Sequence, residues 1–155
     1  MTVGDIMKKL VVTASPMMLV GELATLLLEH QISGAPVVED DGTLAGVVSL
    51  EDLAAHAYGE EADQRPPFFS APWMDELGEE FKLDKIGSTV TVRDIMSPTV
   101  YQVKAQTSVL ELVELMLGAR IRRAIVTDQG KVTGIVTTSD ILRLVPDLLR
   151  EKATR

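Results

Sequence analysis

Val109, Leu112, Val113 and Met116 fall at helical spacing with Glu111 and Glu114 between them, so one face is apolar and the intervening positions are charged. That period predicts an amphipathic helix. Gly118 and the basic cluster after it end the helix, and Ala124 to Thr127 reads as a short strand. Asp128-Gln129-Gly130-Lys131 has the chemistry of a turn, and Val132 to Val136 is its hairpin partner. A last helix runs from about Ser139 to Leu144 and is expected to stop near Pro146.

The same order of elements occurs upstream. Val20, Leu23, Ala24 and Leu27 mark a helix, Ala35 to Glu39 a strand, Asp40-Asp41-Gly42 a turn, Leu44 to Ser49 a strand, and Asp52 to Ala57 a helix. The residues repeat as well as the pattern. Val3-Gly4-Asp5-Ile6-Met7 returns as Val92-Arg93-Asp94-Ile95-Met96, and Gly46-Val47-Val48-Ser49-Leu50-Glu51-Asp52-Leu53 returns as Gly134-Ile135-Val136-Thr137-Thr138-Ser139-Asp140-Ile141. Between the two matches the register shifts by one residue, and the shift falls in the turn, where loops tolerate insertion. Units of roughly 50 residues are too small to hold a core alone, so the two copies are expected to pack on each other with a site between them.

The limits are drawn at residues 1–57 for the first repeat and 90–155 for the second, with residues 58–89 as a connecting insertion. This insertion holds Phe68, Phe69, Trp73 and Phe81 beside the acidic Asp75, Glu76, Glu79 and Glu80. Trp73, Leu77 and Phe81 recur every four residues, which fits a short amphipathic helix near 73–83, laid on its own chain or on a partner.

With 155 residues and 46% hydrophobic content the chain is globular rather than disordered. It has no cysteine, which removes disulfides, thiolate metal sites and cysteine nucleophiles and suits a cytoplasmic protein. No apolar run has the length of a membrane span and no signal-type segment opens the chain. The net charge of -8 argues against nucleic acid or an anionic membrane as partner.

The strongest local pattern is Gly-apolar-apolar-Ser/Thr-x-x-Asp, at Gly46 to Asp52 and Gly134 to Asp140. Two readings are open. Ser/Thr-x-x-Asp is close to a capping box that closes a helix's first turn. Alternatively the aspartate accepts hydrogen bonds from both hydroxyls of a ribose. His30 and His56 are the only histidines, and Asp52 with His56 is too little for a metal site. No phosphate loop, zinc motif or nucleophile elbow appears, so neither a catalytic residue nor a catalytic cofactor is expected.

The Val-x-Asp-Ile-Met opening, the amphipathic helix, Ile32-Ser33-Gly34-Ala35-Pro36-Val37-Val38 and the closing Gly-apolar-apolar-Ser/Thr-x-x-Asp, in that order and twice over, resemble the cystathionine beta-synthase (CBS) domain. The resemblance covers about residues 3–56 and 92–145. It implies an α/β (α+β) fold of two pseudo-twofold repeats, each a small sheet flanked by two helices, packed as a Bateman module with clefts for adenosine-containing ligands.

By the same resemblance Asp52 and Asp140 are ribose contacts, with Ser49 and Thr137 near the sugar and phosphate. The adenine would lie against Val11, Val12, Gly34, Ala35 and Pro36 in one repeat, and against Val100, Tyr101, Arg123, Ala124 and Ile125 in the other. Most of these apolar residues would be core with or without a ligand. Arg120, Arg122, Arg123 and Arg143 suggest an anion site in the second repeat, since guanidinium groups grip phosphate bidentately, unless they neutralise the protein's own acids. The aligned positions of the first repeat are Gln31, Ser33, Gly34 and Ala55, so the second repeat is expected to hold phosphate better.

The function implied is a non-catalytic sensor of AMP, ADP or ATP, with S-adenosylmethionine or NAD behind them, in a chain that forms a homodimer. The alternatives are a ligand-independent dimerisation platform, in which the aspartates only cap helices, and an enzyme of nucleotide hydrolysis.

Overall fold

The computed structural model describes residues 1–58 and 89–153. The aromatic and acidic stretch, with the helix expected near 73–83, lies outside the described residues. The elements run α1 (Val3–Ile6), α2 (Val20–Glu29), β1 (Gly34–Val38), β2 (Leu44–Ser49), α3 (Leu50–Tyr58), α4 (Val92–Ile95), β3 (Gln102–Val103), α5 (Val109–Ala119), β4 (Arg123–Asp128), β5 (Lys131–Thr137), α6 (Thr138–Leu142) and α7 (Val145–Ala153). The class is α/β, with small sheets and flanking helices as the resemblance implies. Strands β1 and β2 make one sheet, and β3, β4 and β5, in that order, make the other.

Both hairpins follow from their turn residues. Gln129 and Gly130 take φ of 48° and 79°, the left-handed pair that a two-residue turn needs to match strand twist. The upstream turn is one residue longer. Its Glu39 N–H donates to the Thr43 carbonyl and Gly42 carries the positive φ of 87°. The single-residue slip between the repeats is therefore the difference between a two-residue and a three-residue loop.

Packing does not follow the duplication. One compact unit consists of Met1–Val12, Val38–Leu44 and Thr99–Arg155, and the other of Thr13–Val37 and Ala45–Pro98. In the first unit, Val3 is buried with Val103, Leu112, Met116, Ala124, Val126 and Val136. In the second, Val92 is buried with Val20, Leu23, Ala24, Leu27, Val37, Val48 and Leu53. Each repeat's opening valine thus fills the core built by the other repeat's helix and hairpin. Main-chain bonds hold the openings there. Val3 N–H donates to the Thr107 carbonyl at 2.8 Å in the first unit, and Val92 N–H donates to the Met18 carbonyl at 2.8 Å in the second.

Three details differ from the pattern read along the chain. On α5 only Leu112 and Met116 are fully buried, while Val109 and Val113 are half-buried, so the core stripe is narrower than the apolar stripe. The short β3 was not expected; it pairs in parallel with β4, Gln102 opposite Ile125 and Val103 opposite Val126. Finally, α6 ends at Leu142, ahead of Pro146 as expected, but a further helix not read along the chain follows it: Pro146 stands in the first turn of α7, where a residue without N–H loses no helical bond.

Candidate functional site

In the first unit, β5 ends at Thr137 and α6 begins at once. Asp140, in its first turn, is the buried polar side chain among the described residues, at 5% exposure. Its Oδ2 accepts the Thr137 N–H at 2.9 Å and the Thr137 hydroxyl at 2.7 Å. The capping box therefore forms, and it uses one carboxylate oxygen only. The other, Oδ1, has Arg143 Nη1 at 3.6 Å and Lys8 Nζ at 3.9 Å. Those separations exceed the 2.7–2.9 Å of a tight charge-assisted bond, so both ion pairs are loose.

Lys8 reaches Asp140 because its backbone is pinned. Its N–H donates to the Ile135 carbonyl at 2.9 Å, and Ile135 N–H donates back at 3.0 Å. Gly134 makes room for that crossing: a Cβ there would lie 2.6 Å from Met7 Sδ and 3.1 Å from the Lys8 carbonyl oxygen. This gives the glycine of the repeated motif its reason.

The remaining candidates of this unit sort by place. Arg123 opens β4 directly opposite Thr137. The Arg122 carbonyl accepts the Thr138 N–H at 3.0 Å, which brings this backbone to the same sheet end. Both arginines make further interactions of their own. Tyr101 is 43% exposed, and its carbonyl accepts the Ile125 N–H at 3.1 Å. Val100 is half-buried. Ala124 and Ile125 are buried, Ala124 within the core cluster, as expected of apolar strand residues with or without a ligand. Arg120 is the C-cap of α5, in left-handed conformation at φ 54°. Val11 and Val12 are half-buried at the end of this unit's N-terminal stretch.

The second unit repeats the arrangement with different charges. Asp52 Oδ2 accepts the Ser49 N–H at 2.7 Å and the Ser49 hydroxyl at 3.0 Å. The Ser33 carbonyl accepts the Leu50 N–H at 2.9 Å, as Arg122 does for Thr138. Gly34, Ala35 and Pro36 are buried, and the Pro36 carbonyl accepts the Ala14 N–H at 2.9 Å. Ser97 exchanges main-chain bonds with Val47, both at 2.9 Å, where Lys8 meets Ile135 in the first unit. Ala55 follows Asp52 by three residues, as Arg143 follows Asp140.

Capping by itself is common in this chain. Thr2 with Asp5, Thr91 with Asp94 and Ser108 with Glu111 form the same box at exposed helix starts. There the backbone N–H of the cap residue, and then its hydroxyl, hold Asp5, Asp94 and Glu111 below the ordinary carboxylate range. Burial and facing cations set Asp140 apart from these. Lys8 was missed along the chain. The contrast of Met7-Lys8 with Met96-Ser97 is visible in the two openings, but their exchange between cores is not. No group of three or more His, Asp or Glu side chains suited to a metal occurs among the described residues, and none of their helices is long and apolar enough to cross a membrane.

The CBS domain model matches residues 3–59 and 92–147. Over 97% of this chain, CBSX2 of Arabidopsis thaliana, a chloroplastic CBS domain-containing protein, is 32% identical, and the chain spans 66% of its length. An uncharacterized protein of Methanocaldococcus jannaschii is also 32% identical, over 92% of this chain and 89% of its own length. An inosine-5'-monophosphate dehydrogenase of the same organism is 30% identical over 97% of this chain, a match that covers 25% of the enzyme. Among solved structures, CBSX2 in complex with AMP superposes with a TM-score of 0.71 at 29% identity, covering 95% of this chain and 97% of that one. The CBS domain pair of the protein MJ0100, in complex with 5'-methylthioadenosine and S-adenosyl-L-methionine, gives a TM-score of 0.69 at 25% identity and covers 94% and 99%. With both repeats matched by the family model, this chain belongs to the CBS domain family, as a tandem pair.

Proposed function

We propose that this chain is a non-catalytic regulatory module that binds an adenosine-containing ligand at the Thr137–Asp140 site and at the Ser49–Asp52 site. AMP, ADP or ATP are the first candidates, with S-adenosylmethionine or NAD behind them. The observation that carries the reading is the state of Asp140: buried, oriented through one oxygen by Thr137, and with the other facing Lys8 and Arg143 in loose ion pairs. A carboxylate so placed is already oriented, and it can accept ribose hydroxyls in exchange for those pairs. The AMP bound by CBSX2 and the adenosyl compounds bound by the MJ0100 pair support the ligand class. The repeat limits, 1–57 and 90–155 around the 58–89 insertion, then describe the duplicated unit of this module.

Ligand would act by shifting the population of two packings, which requires different affinity for each. The test is thermal unfolding with AMP, ADP, ATP, S-adenosylmethionine and NAD, repeated on Asp140→Ala and Asp52→Ala. A ligand at 100 times its Kd adds ~2.7 kcal/mol, a shift of several degrees at this size. A shift lost in both variants together supports the reading, and unmoved melting with every ligand overturns it.

A second reading has its own observation. Leu142, Leu148 and Leu149 are exposed on the last two helices, and the aspartates do cap helices, which is what a platform for homodimerisation needs. We place the homodimer, in a reducing compartment such as the cytoplasm, alongside ligand binding. Analytical ultracentrifugation with and without AMP checks it: a monomer at high concentration in both conditions sinks the dimer.

A further inference from the structure

The two proposed sites share their backbone and differ in charge. Lys8 and Ser97 hold equivalent main-chain bridges, to Ile135 and Val47, so each side chain starts from the same position relative to its motif. Arg143 and Ala55 each lie three residues beyond the motif aspartate. Asp140 thus has Lys8 and Arg143 within 4 Å, whereas the corresponding positions around Asp52 carry a hydroxyl and a methyl group.

We propose that Lys8 and Arg143 make the Thr137–Asp140 site selective for a ligand that carries an anionic group, a phosphate, beside its ribose, while the Ser49–Asp52 site accepts an adenosyl ligand without that charge. This rests on the adenosyl-binding reading above.

Asp140 Oδ2 is committed to Thr137, so incoming ribose hydroxyls must take Oδ1 from its cations. An uncharged nucleoside displaces those cations and offers them nothing in return. A nucleotide displaces them and supplies a phosphate that both can grip, in bonds stronger than the loose pairs they leave. In a chain of net charge -8 the surrounding field opposes an anion, so local cations such as Lys8 and Arg143 weigh heavily in the outcome. At Asp52 the equivalent positions, Ser97 and Ala55, supply neither that competition nor that partner. Lys8 comes from the first repeat and Asp140 from the second, so the selectivity belongs to a site neither repeat could build alone.

The test is isothermal titration of the full chain with AMP and with adenosine, in an Asp52→Ala background that leaves one site. Lys8→Met keeps the length of the stem and the main-chain bridge, and Lys8→Arg keeps the charge. The expected result is an AMP-over-adenosine preference that drops about tenfold or more in Lys8→Met, with adenosine affinity kept or improved, and that persists in Lys8→Arg. In the complementary Asp140→Ala background, Ser97→Lys with Ala55→Arg is expected to create an AMP preference. Binding of both ligands with a ratio that Lys8→Met leaves unchanged overturns the charge selection alone. Failure of the unaltered chain to bind either ligand overturns the adenosyl reading, and this inference with it.

Discussion

Lys8 Nζ stands 3.9 Å from Asp140 Oδ1, so an exposed lysine just after α1 faces a buried carboxylate in the first turn of α6. An ion pair this long, with one partner largely in water, contributes little stability. Its value lies in what the carboxylate can exchange it for. The aspartate itself is expected to matter more. Asp140→Ala removes the box that closes α6 and should destabilise the protein by about 1–2 kcal/mol in urea unfolding, whereas Lys8→Met should change stability by less than about 0.5 kcal/mol. Equal losses in the two variants would mean that the ion pair, not the cap, holds this helix start.

The motif glycines support a second expectation. A Cβ at Gly46 would lie 2.5 Å from the Ser97 carbonyl oxygen, a backbone atom that is itself bonded to Val47. At Gly134 the nearest atom is the mobile end of Met7. Gly46→Ala is therefore expected to cost about 1–3 kcal/mol, and Gly134→Ala less, because a thioether can swing aside where a paired backbone cannot. Denaturant midpoints of the two variants check the order.

Exchange of the opening segments predicts where damage spreads. Val3→Ala removes about two buried methyl-sized groups from the core around Leu112 and Val136, at ~0.8 kcal/mol each plus the cavity left behind. Hydrogen exchange is expected to rise first in β4 and β5, which belong to the other repeat by sequence, and Val92→Ala should do the same for β1 and β2. Faster exchange of β1 and β2 in Val3→Ala would contradict the packing.

Acid should weaken the fold through the exposed caps. Asp5, Asp94 and Glu111 have folded values depressed by the N–H and hydroxyl of Thr2, Thr91 and Ser108. A depressed carboxylate adds stability that is fully present above its unfolded value, near pH 4, and is lost as pH falls through the folded one. Stability should hold from neutrality to about pH 5 and then decline. Asp94→Asn cannot titrate, so its decline below that point should be shallower in pH-dependent urea midpoints.

Much of this architecture was legible along the chain. Helix α2, both hairpins and the one-residue slip between them follow from local period and turn chemistry, which neighbouring residues decide among themselves. The capping geometry of Ser49 with Asp52 and Thr137 with Asp140 was equally readable, because its span is a single helical turn. Helix α6 stops ahead of Pro146 as the local pattern says, but α7 is not legible there, because a proline that follows one helix and a proline that opens the next look alike until the backbone before it is known.

What the sequence determined by itself is the duplication, the motif aspartates and the uneven placing of arginines. Only the tertiary structure decided that Val3 and Val92 change places between cores, that Asp140 rather than Asp5 or Asp94 is buried, and that Lys8 completes the charged site. The physical reason is reach. Hydrogen bonds across three or four residues leave a local signature, whereas burial and charge pairing depend on which distant segment arrives to exclude water, and nothing in the neighbouring residues names that segment.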